Sequence, residues 1–379
     1  MKPKFSFIDH ELEQIKKQNL YRKLRSGVSD GAIITINGKK LLNLCSNDYL
    51  GLPPSNLKIK QFQSSSRLVS GNDKSYENLE KKLARHKSQH AALIYPTGYM
   101  ANLGAISALA KKGDLILSDE LNHSSIVEAC KLSGAKISVF KHNNMDDLQR
   151  KIKQKSKNKF IITEGIFSMD GDFSNLPEIT EMAQKENAIT ILDDAHGDFV
   201  VGKDGKGTAN HLGVSKKIDV YISSLSKGLG SFGGYIASEQ NVVDLNINQS
   251  KAFIYTSALP NSLVEYALYR LESNREKYRQ KLLKNTKTFL TGLERIGYNI
   301  NSKTHIIPIL LGNEKTVMKF GEYLYKKGVY AQPIRYPTVP QNQSRVRLTV
   351  TSWFSEEDIK RSLEILSDAF KKFFNKYGK

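Results

Sequence analysis

Lys227 stands in the stretch Ser223-Ser-Leu-Ser-Lys-Gly-Leu-Gly-Ser-Phe-Gly-Gly234, directly after Asp219–Ser223, which reads as a buried strand. An amine at a strand end can condense with an aldehyde or take up a proton. Four glycines in the next seven residues (228, 230, 233, 234) leave little side-chain bulk around it. Other polar groups follow apolar runs in the same way. Asp193-Asp-Ala-His196-Gly comes after Ala188–Leu192, and Glu164-Gly-Ile-Phe-Ser168-Met-Asp-Gly-Asp172 after Phe160–Thr163. Asp119-Glu-Leu-Asn-His123-Ser-Ser comes after Asp114–Ser118, and Pro96-Thr-Gly98-Tyr99 after Ala91–Tyr95. Each alone has an ordinary structural reading: a capping aspartate, a packing histidine, a glycine turn, a loop lysine.

Together these groups match what pyridoxal phosphate requires. Lys227 offers the amine for its Schiff base. Asp193 offers the carboxylate that keeps the pyridine nitrogen protonated, since only the charged ring is a strong electron sink. His123 offers a flat group over the ring, and Ser168 and His196 offer donors to the ring oxygen. The amides of Gly98 and Tyr99, opening a helix, form a phosphate cradle with the Ser224 hydroxyl. No metal-ligand cluster stands in the sequence, and no metal is expected.

These groups need a scaffold that sets strand ends side by side. From residue 76 the pattern alternates: a helix over Tyr76–His90, then strands at 91–95, 114–118, 136–140, 160–163, 188–192 and 220–223 with helices between. The fold class is therefore α/β, a largely parallel sheet flanked by helices, with ligands gathered at the carboxyl ends of the strands. Residues 9–25 read as an amphipathic helix, and Ala32–Ile36 and Leu41–Leu44 as a hairpin turning at Asn37-Gly38. A long helix is expected from Ser262 to near Leu290. Strands near His305–Leu311 and Val346–Thr351 and a last helix from Glu356 complete a smaller α+β region. The division reads as 1–45, 46–265 and 266–379.

At 379 residues the chain exceeds one core. Its net charge of +19 invites a nucleic-acid reading. The basic residues are scattered, and clusters such as Lys151–Lys159 lie between elements with no nucleic-acid motif beside them. They read as a solvated surface, with an allowance for attracting polyanionic substrates. No apolar run approaches the ~20 residues of a membrane span, and the N-terminus has no signal-peptide core. Two cysteines, Cys45 and Cys130, form no disulfide framework, which fits a reducing cytoplasm.

The phrases Ser46-Asn-Asp-Tyr-Leu-Gly-Leu52, Asp119–Ser124, Thr163–Asp172, Asp193–Gly197 and Ser223–Gly230 resemble, in order, those of the α-oxoamine synthases, a group of fold-type I pyridoxal-phosphate enzymes. The resemblance runs from about residue 20 to about residue 365. Arg67–Asn72, Tyr255–Pro260, Pro333–Pro340 and Arg345–Thr349 are most similar to the branch serving biotin synthesis. That branch condenses L-alanine with a pimeloyl thioester, on coenzyme A or a carrier protein, with loss of carbon dioxide. The resemblance implies Lys227, His123, Asp193 and His196 as catalytic. It implies Arg347 as the grip on the amino-acid carboxylate. Arg22 in the N-terminal helix, Asn47, His123, Arg335 and Thr338 fall near substrate. It also implies a homodimer with shared sites, in which Thr256 reaches the phosphate of the other subunit. A glycine-acylating branch, an aminotransferase or lyase on the same fold, and an inactive basic binding protein stay open here. The glycine-rich run that the family carries before Arg67 reads Gln63-Ser-Ser-Ser-Arg67 in this chain, without glycine's access to positive φ.

Overall fold

Short apolar runs that end in a polar residue become the strands of one seven-stranded sheet. They are β1 (Ala91–Tyr95), β2 (Leu115–Asp119), β3 (Lys136–Phe140), β4 (Lys159–Glu164), β5 (Ile189–Asp193), β6 (Val220–Ser224) and β7 (Gly234–Ser238). The order across the sheet is β1-β7-β6-β5-β4-β2-β3. Six strands point one way, and β7 runs antiparallel to both β1 and β6. This computed structural model describes residues 4–54 and 65–374; Gln63 and Ser64 of the serine run lie outside them.

The period-two alternation along β4 explains how both faces are buried. Phe160 and Ile162 join Ile116, Ile191, Val220 and Ile236 on one face. There they meet Ala101, Ala105 and Ile106 of helix α1 (Gly98–Leu109) and Ile126, Ala129 and Cys130 of helix α2 (Ser124–Ser133). Ile161 turns to the opposite face and packs with Leu115, Leu117, Leu148 and Ile179. Cys130 is an ordinary small core side chain.

The sequence reading misses β7. Its direction follows from the length of its connection: the loop Leu225–Gly233 is shorter than the dozen or so residues a parallel crossover needs. The helix expected from Ser262 to Leu290 is two helices, Asn261–Glu272 and Glu276–Ile296. Ser273 takes extended backbone (ψ 156°) and its hydroxyl donates to the Arg270 carbonyl at 2.8 Å, ending the first helix.

By compactness the chain divides into two units. One is Asn47–Ser168 with Asp172–Gln280, which holds the sheet; the other is Met1–Ser46 with Met169–Gly171 and Lys281–Lys379. In the second unit the hairpin Ile33–Ile36 and Lys39–Asn43 turns at Asn37 (φ 50°) and Gly38 (φ 74°), as an Asn-Gly pair favours. Gly27–Asp30 adds a strand on one side and Val329–Tyr330 one on the other. Ile306–Gly312, Ser344–Thr349 and Pro333–Ile334 form a small antiparallel sheet. Helix Glu356–Phe373 starts at a Ser355–Asp358 capping box.

The N-terminal helix is shorter than the 9–25 expected. It spans Ser6–Lys17 and is closed by Asn19 in the left-handed region (φ 59°), with Asn19 and Leu20 N–H bonding back to Lys16 and Ile15 carbonyls. Arg22 therefore lies on the irregular segment after the helix, not on it. Arg67–Gly71 forms a π-helical turn whose Ser65 and Ser66 carbonyls accept from Ala258 N and Gly71 N, each at 2.8 Å. No helix among the described residues is long and apolar enough to cross a membrane.

Candidate active site

The carboxyl ends of β1, β2, β4, β5 and β6 open on one cavity of about 220 Å³, lined among others by Gly98, Tyr99, His123, Glu164, Asp193, Ser224 and Lys227. Lys227 follows β6. Its Nζ lies 2.8 Å from His196 Nε2. His196 Nδ1 is 2.6 Å from the hydroxyl of fully buried Tyr49, which in turn donates to Asn47 Oδ1 at 3.3 Å. With the Lys227 ammonium donating, Nδ1–H of His196 donates to Tyr49, so one line of hydrogen bonds joins Lys227 to Asn47.

The glycines after Lys227 do something other than leave room. A Cβ on Gly228 would stand 2.5 Å from the Asp198 carbonyl, and one on Gly234 would stand 2.5 Å from Gly98 Cα. They let the Lys227 loop lie against its neighbours, and Gly234 lets β7 pass under the start of α1.

Asp193 ends β5. Its Oδ2 accepts from Asn102 Nδ2 at 2.6 Å and its Oδ1 from Ala195 N at 3.0 Å. Asn102 lies in α1 and also donates to Ser125 Oγ at 2.9 Å. Ser125 presents both its hydroxyl, at 2.7 Å, and its N–H, at 3.2 Å, to His123 Nδ1. Nδ1 is therefore the acceptor, and the ring proton sits on Nε2. Burial, with Lys227 adding to it and Asp193 opposing, lowers the His123 pKa, so the ring is neutral at pH 7. Tyr99 stands edge-on to it at 6.4 Å.

At the other end of the cavity Thr97 caps α1, accepting from Met100 N at 3.1 Å. Helix geometry leaves the Gly98 and Tyr99 N–H groups without an intrahelical acceptor. Ser224 Oγ is 2.8 Å from Ser226 Oγ beside them. Two hydroxyls and a helix N-terminus suit an anion such as phosphate. The residues here fit pyridoxal phosphate: an amine, an oriented carboxylate, a neutral flat ring and an anion cradle share one cavity.

Ser168 is buried in the turn after β4 and, like His196, stands outside the cavity lining. Thr256 lines a separate crevice with Arg67, Tyr76 and Tyr95. In the other unit, Arg22 Nη2 donates to Thr338 Oγ1 at 3.4 Å, and Arg335 donates to the carbonyls of Asn19 and Tyr21. Arg347 is half-buried on the strand Ser344–Thr349, close enough to Cys45 to act on its thiol. The sequence reading does not single out Asn102, Ser125, Tyr49, Ser226 or Glu164. An amide in the largely apolar run Met100–Ala110 was the available signal for Asn102.

One more group ties the loops bearing His123 and Ser168. His142 Nδ1 bonds Asp119 Oδ1 at 3.0 Å and its Nε2 bonds Asp172 Oδ2 at 2.8 Å. Burial alone would lower its pKa, but the two carboxylates more than reverse this and push it up to about 10. The unfolded ring titrates near 6.5, so this stabilisation is complete below that pH and fades as pH climbs toward 10. His142→Gln is therefore expected to cost most stability at pH 6 and progressively less toward about pH 10. Urea unfolding of both proteins across that range measures it; a gap that widens with pH contradicts the pairing.

A family model described as aminotransferase class I and II matches residues 39–366. The chain is 39% identical to the 8-amino-7-oxononanoate synthase of Thermoanaerobacter pseudethanolicus, over 98% of this chain and 97% of that one. It is 40% identical to the 8-amino-7-oxononanoate synthase of Treponema denticola, over 95% of each. Among solved structures it is similar to a serine palmitoyltransferase from S. paucimobilis with bound PLP, at TM-score 0.90 and 25% identity over 98% of both chains. It is also similar to 8-amino-7-oxononanoate synthase from Francisella tularensis, at TM-score 0.75 and 27% identity over 88% of this chain and 98% of that one.

Proposed function

The chain belongs to the class I and II aminotransferase family, and on that premise we propose that it is a pyridoxal-phosphate-dependent acyltransferase of biotin biosynthesis. It condenses L-alanine with a pimeloyl thioester, on coenzyme A or a carrier protein, releasing the thiol and carbon dioxide and forming 8-amino-7-oxononanoate. The observation that carries this reading is the meeting of Lys227, Asp193, His123 and the start of α1 in one cavity.

Bound there, pyridoxal phosphate supplies an electron sink for the carbanion left when the amino acid loses its Cα proton. Lys227 holds the cofactor through its amine. The same amine, once the amino acid displaces it, is the base that takes the Cα proton. Its hydrogen bond to His196 Nε2 gives that proton a place to rest, and the line through Tyr49 to Asn47 compensates the charge. Asp193, aimed by Asn102 and by Ala195 N–H, would supply the negative charge that keeps the cofactor's ring nitrogen protonated. His123, a neutral imidazole, would be the flat group against the cofactor, and Ser168 and His196 would be its oxygen's donors. Gly98, Tyr99 and Ser224 take the phosphate. Arg347 grips the alanine carboxylate, with Arg22, Asn47, Arg335 and Thr338 near the substrate. The enzyme works as a cytoplasmic homodimer in which Thr256 reaches the phosphate of the second subunit's site.

The test is a thiol-release assay across acyl-coenzyme A lengths with alanine and with glycine. Equal release of thiol and carbon dioxide, greatest with alanine and the pimeloyl thioester, is expected. Pyruvate formed without thiol would make the protein an aminotransferase.

A further inference from the structure

Glu164 ends β4 at the register position opposite Asp193 on β5 and lines the same cavity, yet the proposed chemistry leaves it idle. It is 2% exposed, and its Oε1 is buried without a hydrogen-bond partner. A buried carboxylate oxygen with nothing to accept from is costly, so either a proton or a ligand must settle it. The groups facing it come from four segments: Asp193 from β5, Lys227 from the loop after β6, and the backbone of His123 and Ser168 from the turns after β2 and β4. Burial first, and the Asp193 charge second, hold its carboxyl well above the usual range; Lys227 and the two backbone N–H groups offset only part of this. Two ionised carboxylates on adjacent strand ends would also repel each other and compete for the Lys227 cation. Environments that push two such acids apart in pKa assign them different tasks.

We propose that Glu164 is a further cofactor-binding residue that works as a neutral carboxylic acid, donating from Oε1 to the ligand in the cavity and leaving Asp193 to carry the negative charge. This rests on the cavity being the pyridoxal-phosphate site. Asn102 Oδ1, also buried there without a partner, marks a second polar position left for the same ligand. As a donor, Glu164 can be replaced by glutamine, whose amide also donates, but not by alanine.

Two measurements test it. The infrared difference spectrum of ligand-free wild type minus Glu164→Gln at neutral pH is expected to contain a carboxylic-acid C=O stretch; a carboxylate signal alone overturns the proposal. Pyridoxal phosphate titrations, followed by absorbance and borohydride trapping, are expected to give Glu164→Gln an affinity within about threefold of wild type and Glu164→Ala one weaker by about tenfold. Glutamine as damaging as alanine, or alanine as tight as wild type, overturns it. A wild-type protein that forms no reducible adduct at all would refute the functional reading, and the infrared result then decides the protonation of Glu164 by itself.

Discussion

Replacing Lys227 by alanine is expected to lower thiol release by about four orders of magnitude and to abolish the borohydride-reducible adduct. A positioned general base contributes about 10²–10⁴ in rate. Lys227 is also the proposed anchor of the cofactor, so the loss should fall at the upper end. The fold should survive the change. Lys227 is half-buried in the loop after β6, and its amine lies 2.8 Å from His196 Nε2, outside the apolar layers of the sheet. Cofactor should still enter, more weakly, because the start of α1, Ser224 and Asp193 are untouched. Steady-state thiol release with bound cofactor measured in the same sample is the check. A variant within about tenfold of wild type would remove Lys227 from the role of base.

Lys87→Met is expected to destabilise the protein by about 3–5 kcal/mol, the range for breaking a buried ion pair from one side. Lys87 is 4% exposed. Its Nζ lies 2.6 Å from Asp198 Oδ1, 3.1 Å from Asp194 Oδ2 and 3.1 Å from the Lys206 carbonyl. Burial would lower its pKa, but the two aspartates outweigh that and raise it, so the amine stays charged. Without it Asp194, already pushed up to about 6 by burial, would lose its cation and keep Thr208, whose N–H reaches both of its carboxylate oxygens. Asp198 would retain His86 and the Tyr235 hydroxyl. These aspartates flank His196, so cofactor affinity should fall along with stability. Urea unfolding measures the first effect, and a loss below about 1 kcal/mol would mean that the carboxylates are satisfied without the cation.

The strand ends were legible because chemistry and burial coincide there. An apolar run that stops at Asp193, at Ser224 or just before Pro96 states its own direction and offers its next residue to the site. Lys227, Asp193, His123, Gly98, Tyr99 and Ser224 were found this way, and the structure puts all six around one cavity. Asn102 and Ser125 were not legible, because their worth depends on which face of α1 meets the end of β5. Tyr49 reads as core, and its hydroxyl becomes meaningful only when His196 is beside it. Lys87 is hidden by composition: in a chain of 57 basic residues nothing local marks the one that is buried between two aspartates. The helix break at Ser273 and the early end at Asn19 turn on single backbone conformations that hydrophobic spacing does not encode.

The antiparallel strand β7 of the seven-stranded sheet carries a consequence for what the cavity can hold. Gly234 of β7 pairs with Ser224 on one side and with Tyr95 on the other, so the lysine loop and the chain leading into α1 hang from a single row of the ladder. That row acts as a caliper. Sliding β7 by one residue would turn its side chains to the opposite face and break the match on both sides at once. The spacing between the backbone that carries the amine and the anion cradle is thus set by strand pairing. A ligand is admitted by the distance between its anionic tail and its reacting carbon before its ring chemistry is read at all.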